Sequence, residues 1–258
     1  KITEVWLQTV NKQNISVTSA DNLKLNAIKF ASNNNLHNYA LVVHGYAQNK
    51  ESIIDIANQY YNAGYNVIVP DLRAHGESDG KYVGMGWLDR KDILKWLEFI
   101  LNEDSQAKIV LHGVSMGAAA VMMASGENLP KNVTAIIEDC RYTSVKEVFT
   151  SELKVRFNLP LFPVINCARF VSSMRAGYSF KEASSLEQIK KSNIQTLFIH
   201  GSADNFIPVE MCHKLYDSAT CKKEKLIIDG AGHAQSRFLV PDEYYRAVFN
   251  FIKNSEFN

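Results

Sequence analysis

Ser115 stands at the centre of a Gly-x-Ser-x-Gly turn, Gly113-Val114-Ser115-Met116-Gly117, a setting in which a serine can act as a nucleophile. A β-rich apolar run, Ile109-Val110-Leu111, leads into the turn, and the small residues Ala118-Ala119-Ala120 leave it. Strand, sharp turn and helix in that order hold the serine in a strained backbone conformation and lift its hydroxyl clear of the sheet. The glycines are required because a Cβ at either position would meet the neighbouring strand or helix. A serine opening a helix can equally be a simple N-cap, so the chemical reading depends on partners elsewhere in the chain.

A serine nucleophile needs an imidazole to take its proton, and a carboxylate to hold that imidazole's tautomer. The chain contains seven histidines. In the nucleophile, acid, base order that accompanies this elbow the base comes late, which leaves His213 and His233. His213 lies in a helical run with Met211, Leu215 and Tyr216 and reads as a helix-surface residue, whereas His233 follows Gly230-Ala231-Gly232 in a loop able to reach back over the sheet. For the acid, Asp204 lies four residues past the strand that ends at His200, just before the base segment in chain order, and Asp139 is its competitor after the preceding strand. Asp71 comes before the serine and reads, with Arg73, as a structural pair bracing a loop. The oxyanion of an acyl-transfer intermediate would be met by the backbone N–H of Met116 and by that of Tyr46, in the loop after Gly45.

These residues need elements to position them. Ile15 to Phe30 alternates about Asp21-Asn22, giving two antiparallel edge strands joined by a hairpin. Tyr39–Val43 is a continuous apolar run, as expected of a strand buried on both faces, and Asn66–Pro70, the elbow strand, Ala135–Ile137, Thr196–Ile199 and Lys225–Ile228 read as further strands. Helical periodicity covers Glu51–Ala63, Trp87–Leu101, Val209–Ser218 and Tyr244–Ile252. This alternation predicts an α/β fold with a mostly parallel, doubly wound sheet. Three strands end alike, at His44-Gly45, His112-Gly113 and His200-Gly201. Parallel strands bring such ends to one rim, where open α/β sheets bind ligands. Residues 144–192 break the rhythm: they hold Phe149, Phe157, Leu159, Leu161, Phe162, Phe170, Met174 and Tyr178 without a clear strand, and are expected to form a small helical cap over that rim, the alternative being extra core helices with no contact to substrate. The expected organisation is one domain over residues 1–258 with this segment inserted.

Composition narrows the partners. The 258 residues are 46% hydrophobic and 21% charged, as in a globular protein with a sizeable core. A net charge of +1 gives no electrostatic case for nucleic acid or for an anionic membrane surface. Cys140, Cys167, Cys212 and Cys221 show no metal-ligand spacing; Cys140 and Cys167 read as buried thiols, and pairing of Cys212 with Cys221 is left open. No apolar run reaches the ~18 residues of a membrane span. The chain opens on Lys1 rather than Met, so membrane contact is expected only through an upstream anchoring segment, and the compartment is left open.

Five ordered motifs carry a resemblance: His44-Gly45-Tyr46, the loop Asp71-Leu72-Arg73-Ala74-His75-Gly76-Glu77-Ser78-Asp79-Gly80, the Ser115 turn, the segment from His200 to Pro208, and Gly230-Ala231-Gly232-His233. With these the chain resembles the α/β-hydrolase superfamily over nearly its whole length. More narrowly it is similar to bacterial serine hydrolases of the serine-aminopeptidase-like and acyltransferase-like branches with a short cap. The resemblance implies Ser115, Asp204 and His233 as a triad, Tyr46 and Met116 as oxyanion donors, and an N-terminal hydrophobic anchor in some members. The expected activity is cofactor-independent hydrolysis of a small acyl ester, or a thioester, through an acyl-enzyme on Ser115. A peptidase or amidase of aminopeptidase type, and a non-catalytic ligand-binding module, are the alternatives.

Overall fold

The computed structural model describes residues 2–32, 34, 37–156 and 158–256, so Phe157 lies outside the described residues. Along the chain the elements are α1 (Ile2–Thr9), β1 (Lys12–Thr18), β2 (Lys24–Phe30), β3 (Asn38–Val43), α2 (Ile54–Asn62), β4 (Asn66–Pro70), α3 (Asp89–Glu103), β5 (Lys108–Val114), α4 (Met116–Ser125) and β6 (Val133–Asp139). They continue with α5 (Val145–Arg156), α6 (Leu161–Arg175), α7 (Ser185–Ile189), β7 (Thr196–Gly201), α8 (Val209–Ser218), β8 (Lys223–Ile228), α9 (Ser236–Leu239) and α10 (Pro241–Glu256). The described strands form one eight-stranded sheet in the order β1-β2-β4-β3-β5-β6-β7-β8. β1 and β2 run antiparallel at the edge, and β2 meets β4 antiparallel. Every remaining neighbour pair is parallel.

The strands from β3 to β7 are largely apolar on both faces because both faces are covered. In β3, Ala40 and Val42 face a layer that includes Ile56 and Tyr60 of α2 and Val248 and Phe251 of α10. Leu41 and Val43 face the opposite layer, with Ile93, Trp96 and Leu97 of α3 and Ala120, Val121 and Ala124 of α4. That parity is the period of two expected of a strand buried between two helix layers. Helix α4 is buried along its whole length, which explains why its sequence is small and apolar all round rather than striped.

Between β6 and β7 the chain forms α5, α6 and α7, with an isolated bridge between Ser144 and Ser184 near its two ends. Val148, Tyr178 and Phe180 are buried here, but among the described residues of α6 only Ile165 is. The expectation that Cys167 is buried is therefore corrected: it sits on the solvent side of α6. Cys212 and Cys221 are both free, so the pairing left open by the sequence does not form. Among the described residues, no helix is long and apolar enough to cross a membrane.

Candidate active site

Ser115 has φ 55° and ψ −116°, a conformation that costs a non-glycine residue of order 1–3 kcal/mol and persists only where the surroundings impose it. They do so from both sides. The Ser115 N–H donates to the Asp139 carbonyl at 2.8 Å, and its carbonyl accepts from Ala119 at 3.0 Å. A Cβ on Gly117 would run into the carbonyls of Val43 and His44, so β3 leaves no alternative to glycine there. Ser115 occupies the N-cap position of α4, yet its side chain makes no cap hydrogen bond. Its Oγ lies 2.9 Å from His233 Nε2 instead.

His233 Nδ1 is 2.8 Å from Asp204 Oδ2. The other carboxylate oxygen, Oδ1, accepts the N–H groups of Phe206 and Ile207, each at 2.8 Å. Burial alone would raise the Asp204 pKa, but the bonds from His200, His233 and Ile207 outweigh it and hold the group well below the usual carboxylate range. An ionised Asp204 can only accept, so His233 Nδ1 carries a proton and Nε2 is free to accept from Ser115 Oγ–H. Phe206 packs edge-on against the His233 ring, with centroids 4.9 Å apart, and fixes its plane.

The competing residues are elsewhere. Asp139 is fully buried, accepts from the Tyr244 hydroxyl at 3.1 Å, and is pushed up in pKa by that burial. It supports the elbow through its backbone, and its side chain belongs to a buried chain in which His112 bridges the hydroxyls of Tyr60 and Tyr244, each at 3.1 Å. His213 lies on α8 with its ring nitrogen 3.0 Å from Lys225 Nζ, at the surface. Asp71 and Arg73 do not pair with each other, contrary to expectation. Asp71 takes Lys50 Nζ at 2.6 Å, and Arg73 forks onto Asp92 with two bonds of 2.7 Å. Both brace the loop after β4, but the nearest charges of opposite sign come from the start of the α2 segment and from α3, which single-sequence reading could not bring together.

The histidines of the three His-Gly strand ends are all turned inward and fully buried. His44 accepts the Leu72 N–H at 3.0 Å, and His200 donates to the Ile207 carbonyl at 2.8 Å while lying 3.4 Å from Asp204. They brace the loops that carry the site rather than facing it. Sequence reading missed this role for His200; its spacing of four from Asp204 is the available signal. Backbone strain gathers at the same rim: Ala47, Ser115, Cys140 and Ala234 all have φ between 50° and 56°, in the turns that follow β3, β5, β6 and β8.

Two cavities meet at Ser115. One, of about 230 Å³, is bounded by Tyr46, Met85, Met116, Tyr142, Val148, Phe149, Glu152 and Phe206. The other, of about 390 Å³, runs past Gly45, Gln48, His233 and Ala234. Tyr46 and Met116 therefore both border the space in front of the serine. Met116 is the first residue of α4, where backbone N–H groups have no intrahelical partner. Met85, Tyr142 and Phe206 were not singled out from sequence, because each lies in a loop whose side-chain direction depends on tertiary packing. Among the described residues, one group could present metal-ligating atoms together, Cys140, Asp204 and His233, within 4.8 Å of one another. Burial keeps the Cys140 thiol protonated, and Asp204 and His233 already satisfy each other, so the set is a poor cation site.

A family model described as the alpha/beta hydrolase fold matches residues 41–164. The uncharacterized protein YqkD of Bacillus subtilis is 28% identical over 218 residues, 84% of this chain and 72% of that protein. Protein bem46 of Schizosaccharomyces pombe is 23% identical over 84% of this chain and 68% of its own length. Among solved structures, the Pyrococcus furiosus esterase Pf2001 superposes with a TM-score of 0.78 at 21% identity, covering 96% of this chain and 94% of that one. The sheet order and these likenesses agree: the chain has the α/β-hydrolase fold.

Proposed function

We propose that this chain of α/β-hydrolase fold is a serine hydrolase that cleaves carboxylic esters, or thioesters, through an acyl-enzyme on Ser115. The reading rests on one observation, the continuous hydrogen-bonded chain Ser115 Oγ, His233, Asp204 at 2.9 and 2.8 Å. In this reading Ser115 attacks the acyl carbon while His233 Nε2 takes its proton. Asp204 stabilises the imidazolium. The negative oxygen of the tetrahedral intermediate is met by the N–H groups of Met116 and Tyr46. His233 then protonates the departing alcohol, and a water activated by the same imidazole releases the acid. No cofactor enters these steps.

The aromatic cavity formed by Tyr142, Phe149 and Phe206 favours an apolar acyl group. Activity on p-nitrophenyl esters is expected to rise from acetyl to hexanoyl, and Ser115→Ala is expected to lose both turnover and fluorophosphonate labelling. Hydrolysis by Ser115→Ala at the parent rate would falsify the proposal. One feature favours a second reading. Glu152 is among the residues lining the same cavity, and a carboxylate at that wall would suit the amine of an aminoacyl amide. Faster cleavage of aminoacyl arylamides than of matched esters would select that reading, and Glu152→Gln would then raise KM.

A further inference from the structure

Helix α6 carries its apolar stripe on the outside. Cys167, Phe170, Val171 and Met174 follow the i, i+3, i+4, i+7 spacing that ordinarily marks the face a helix buries. All four are exposed, Phe170 to 66% and Met174 to 71%. Leu159, Leu161 and Phe162, at the entry to the helix, extend the exposed apolar surface. Single exposed apolar residues are ordinary, but a contiguous stripe marks a surface that docks on something.

Charge indicates what docks. From Leu153 to Lys181 the sequence contains Lys154, Arg156, Arg169, Arg175 and Lys181 and no Asp or Glu. Among the described residues, Lys154, Arg169, Arg175 and Lys181 form no ion pair with a carboxylate. A second copy meeting this face about a two-fold axis would set these cations against their own counterparts. We propose that the face docks on a bilayer containing anionic phospholipid, with the α6 stripe at the acyl boundary and the basic side chains among the headgroups. The net charge of +1 averages this segment away, which is why whole-chain composition gives no case for an anionic surface.

The docked face communicates with the site. A cavity of about 370 Å³ is lined by Val171 and Arg175 on one side and by Tyr46, Met85 and Phe149 on the other, and the last three also border the cavity at Ser115. An acyl chain from the bilayer has an apolar path along it. That path rests on the proposed hydrolase reading; the docking itself does not.

Co-sedimentation with vesicles tests the docking. The protein is expected to pellet with phosphatidylcholine–phosphatidylglycerol vesicles and to stay in solution with phosphatidylcholine alone. Phe170→Ser/Met174→Ser and Arg175→Glu/Lys181→Glu should each weaken binding by at least about tenfold, with folding checked by circular dichroism. Ser115→Ala should bind as the parent does, which separates failure of docking from failure of the hydrolase reading. Absence of binding by the folded parent overturns the proposal, as does equal binding to both vesicle types or by both double variants. A concentration-dependent dimer dissolved by Phe170→Ser/Met174→Ser would assign the face to a second copy and overturn it as well.

Discussion

At the rim of the sheet, Ser115 is fixed by a backbone bond to Asp139 on one side and to Ala119 on the other, while its side chain meets His233. In the segment between β6 and β7, α6 is anchored among its described residues by one buried side chain, Ile165, and turns Phe170 and Met174 outward. The rim is polar and over-determined; the segment is apolar and lightly held. Their boundary is the surface of Tyr142, whose hydroxyl donates to the Met85 carbonyl at 2.9 Å, so the two regions share the cavity where a substrate would sit. The difference teaches that, in the proposed reading, chemistry and selectivity would be supported by different physics. Hydrogen-bond geometry would hold the first, and loosely packed apolar surface would shape the second.

The comparison breaks most severely if the rim's acid is misassigned. Asp204→Asn is expected to lower kcat by about 10⁴-fold, because the amide holds the imidazole in the wrong tautomer. Asp139→Asn should cost less than about tenfold, since its side chain bonds Tyr244 rather than His233. Steady-state kinetics on one p-nitrophenyl ester compares them, and equal losses would show that the two carboxylates share the role.

Next in size is an opposition in pH dependence. Asp204, held below its ordinary range, binds fewer protons folded than unfolded, so its stabilisation is present above about pH 4 and is lost as the pH falls. Asp89, the first residue of α3, lies behind the boundary between the two regions: it accepts the Gly86 N–H at 2.8 Å, in the loop that receives the Tyr142 hydroxyl. Burial, reinforced by Asp92, raises its pKa from 3.8 to about 7. The folded state then holds the extra proton, and its contribution is present at pH 4 and declines as the pH rises through 7, by at most about 4 kcal/mol. Urea unfolding across pH 3 to 8 should show a shallower decline in Asp89→Asn than in the parent, the remainder coming from Glu138, which burial pushes up to about 8. An unchanged slope in the variant would remove Asp89 as its source.

Gly117→Ala ranks third. A methyl group there meets the backbone of β3 rather than a movable side chain, so a loss of about 3 kcal/mol or more in urea unfolding is expected. A loss below about 1 kcal/mol would mean that the elbow can shift, contrary to the over-determined rim.

The same contrast explains what could be read from the chain. The parallel sheet was legible because the apolar runs Leu41–Val43, Ile109–Leu111 and Leu197–Ile199, in β3, β5 and β7, each lead directly into His-Gly. Ser115, Asp204 and His233 could be nominated because they are placed by strand ends, and strand ends have a fixed order; the structure brings the three into one hydrogen-bonded chain. The partners of Asp71 and Arg73 were misread, since a loop carboxylate's neighbour is set by tertiary approach and not by spacing. Helix α1 was not anticipated; its eight residues are too few for a decisive period. Cys167 was misplaced for a physical reason of the same kind. Apolar neighbours in sequence imply burial only when a core lies on their side of the helix, and α6 has its core on the other.

The smallest expected effect is the sharpest statement of the contrast. Phe198 on β7 is fully buried and Phe170 on α6 is 66% exposed. Removing Phe198 deletes transfer free energy and leaves a cavity, so Phe198→Ala should cost about 3–5 kcal/mol. Phe170 leaves most of its surface in water in the folded chain as it does in the unfolded one, so Phe170→Ser should change stability by less than about 0.5 kcal/mol. Urea midpoints for the two variants, measured without vesicles, give both numbers. A cost above about 2 kcal/mol for Phe170→Ser would mean that α6 is already covered in solution. In that event the two regions would differ in chemistry but not in packing.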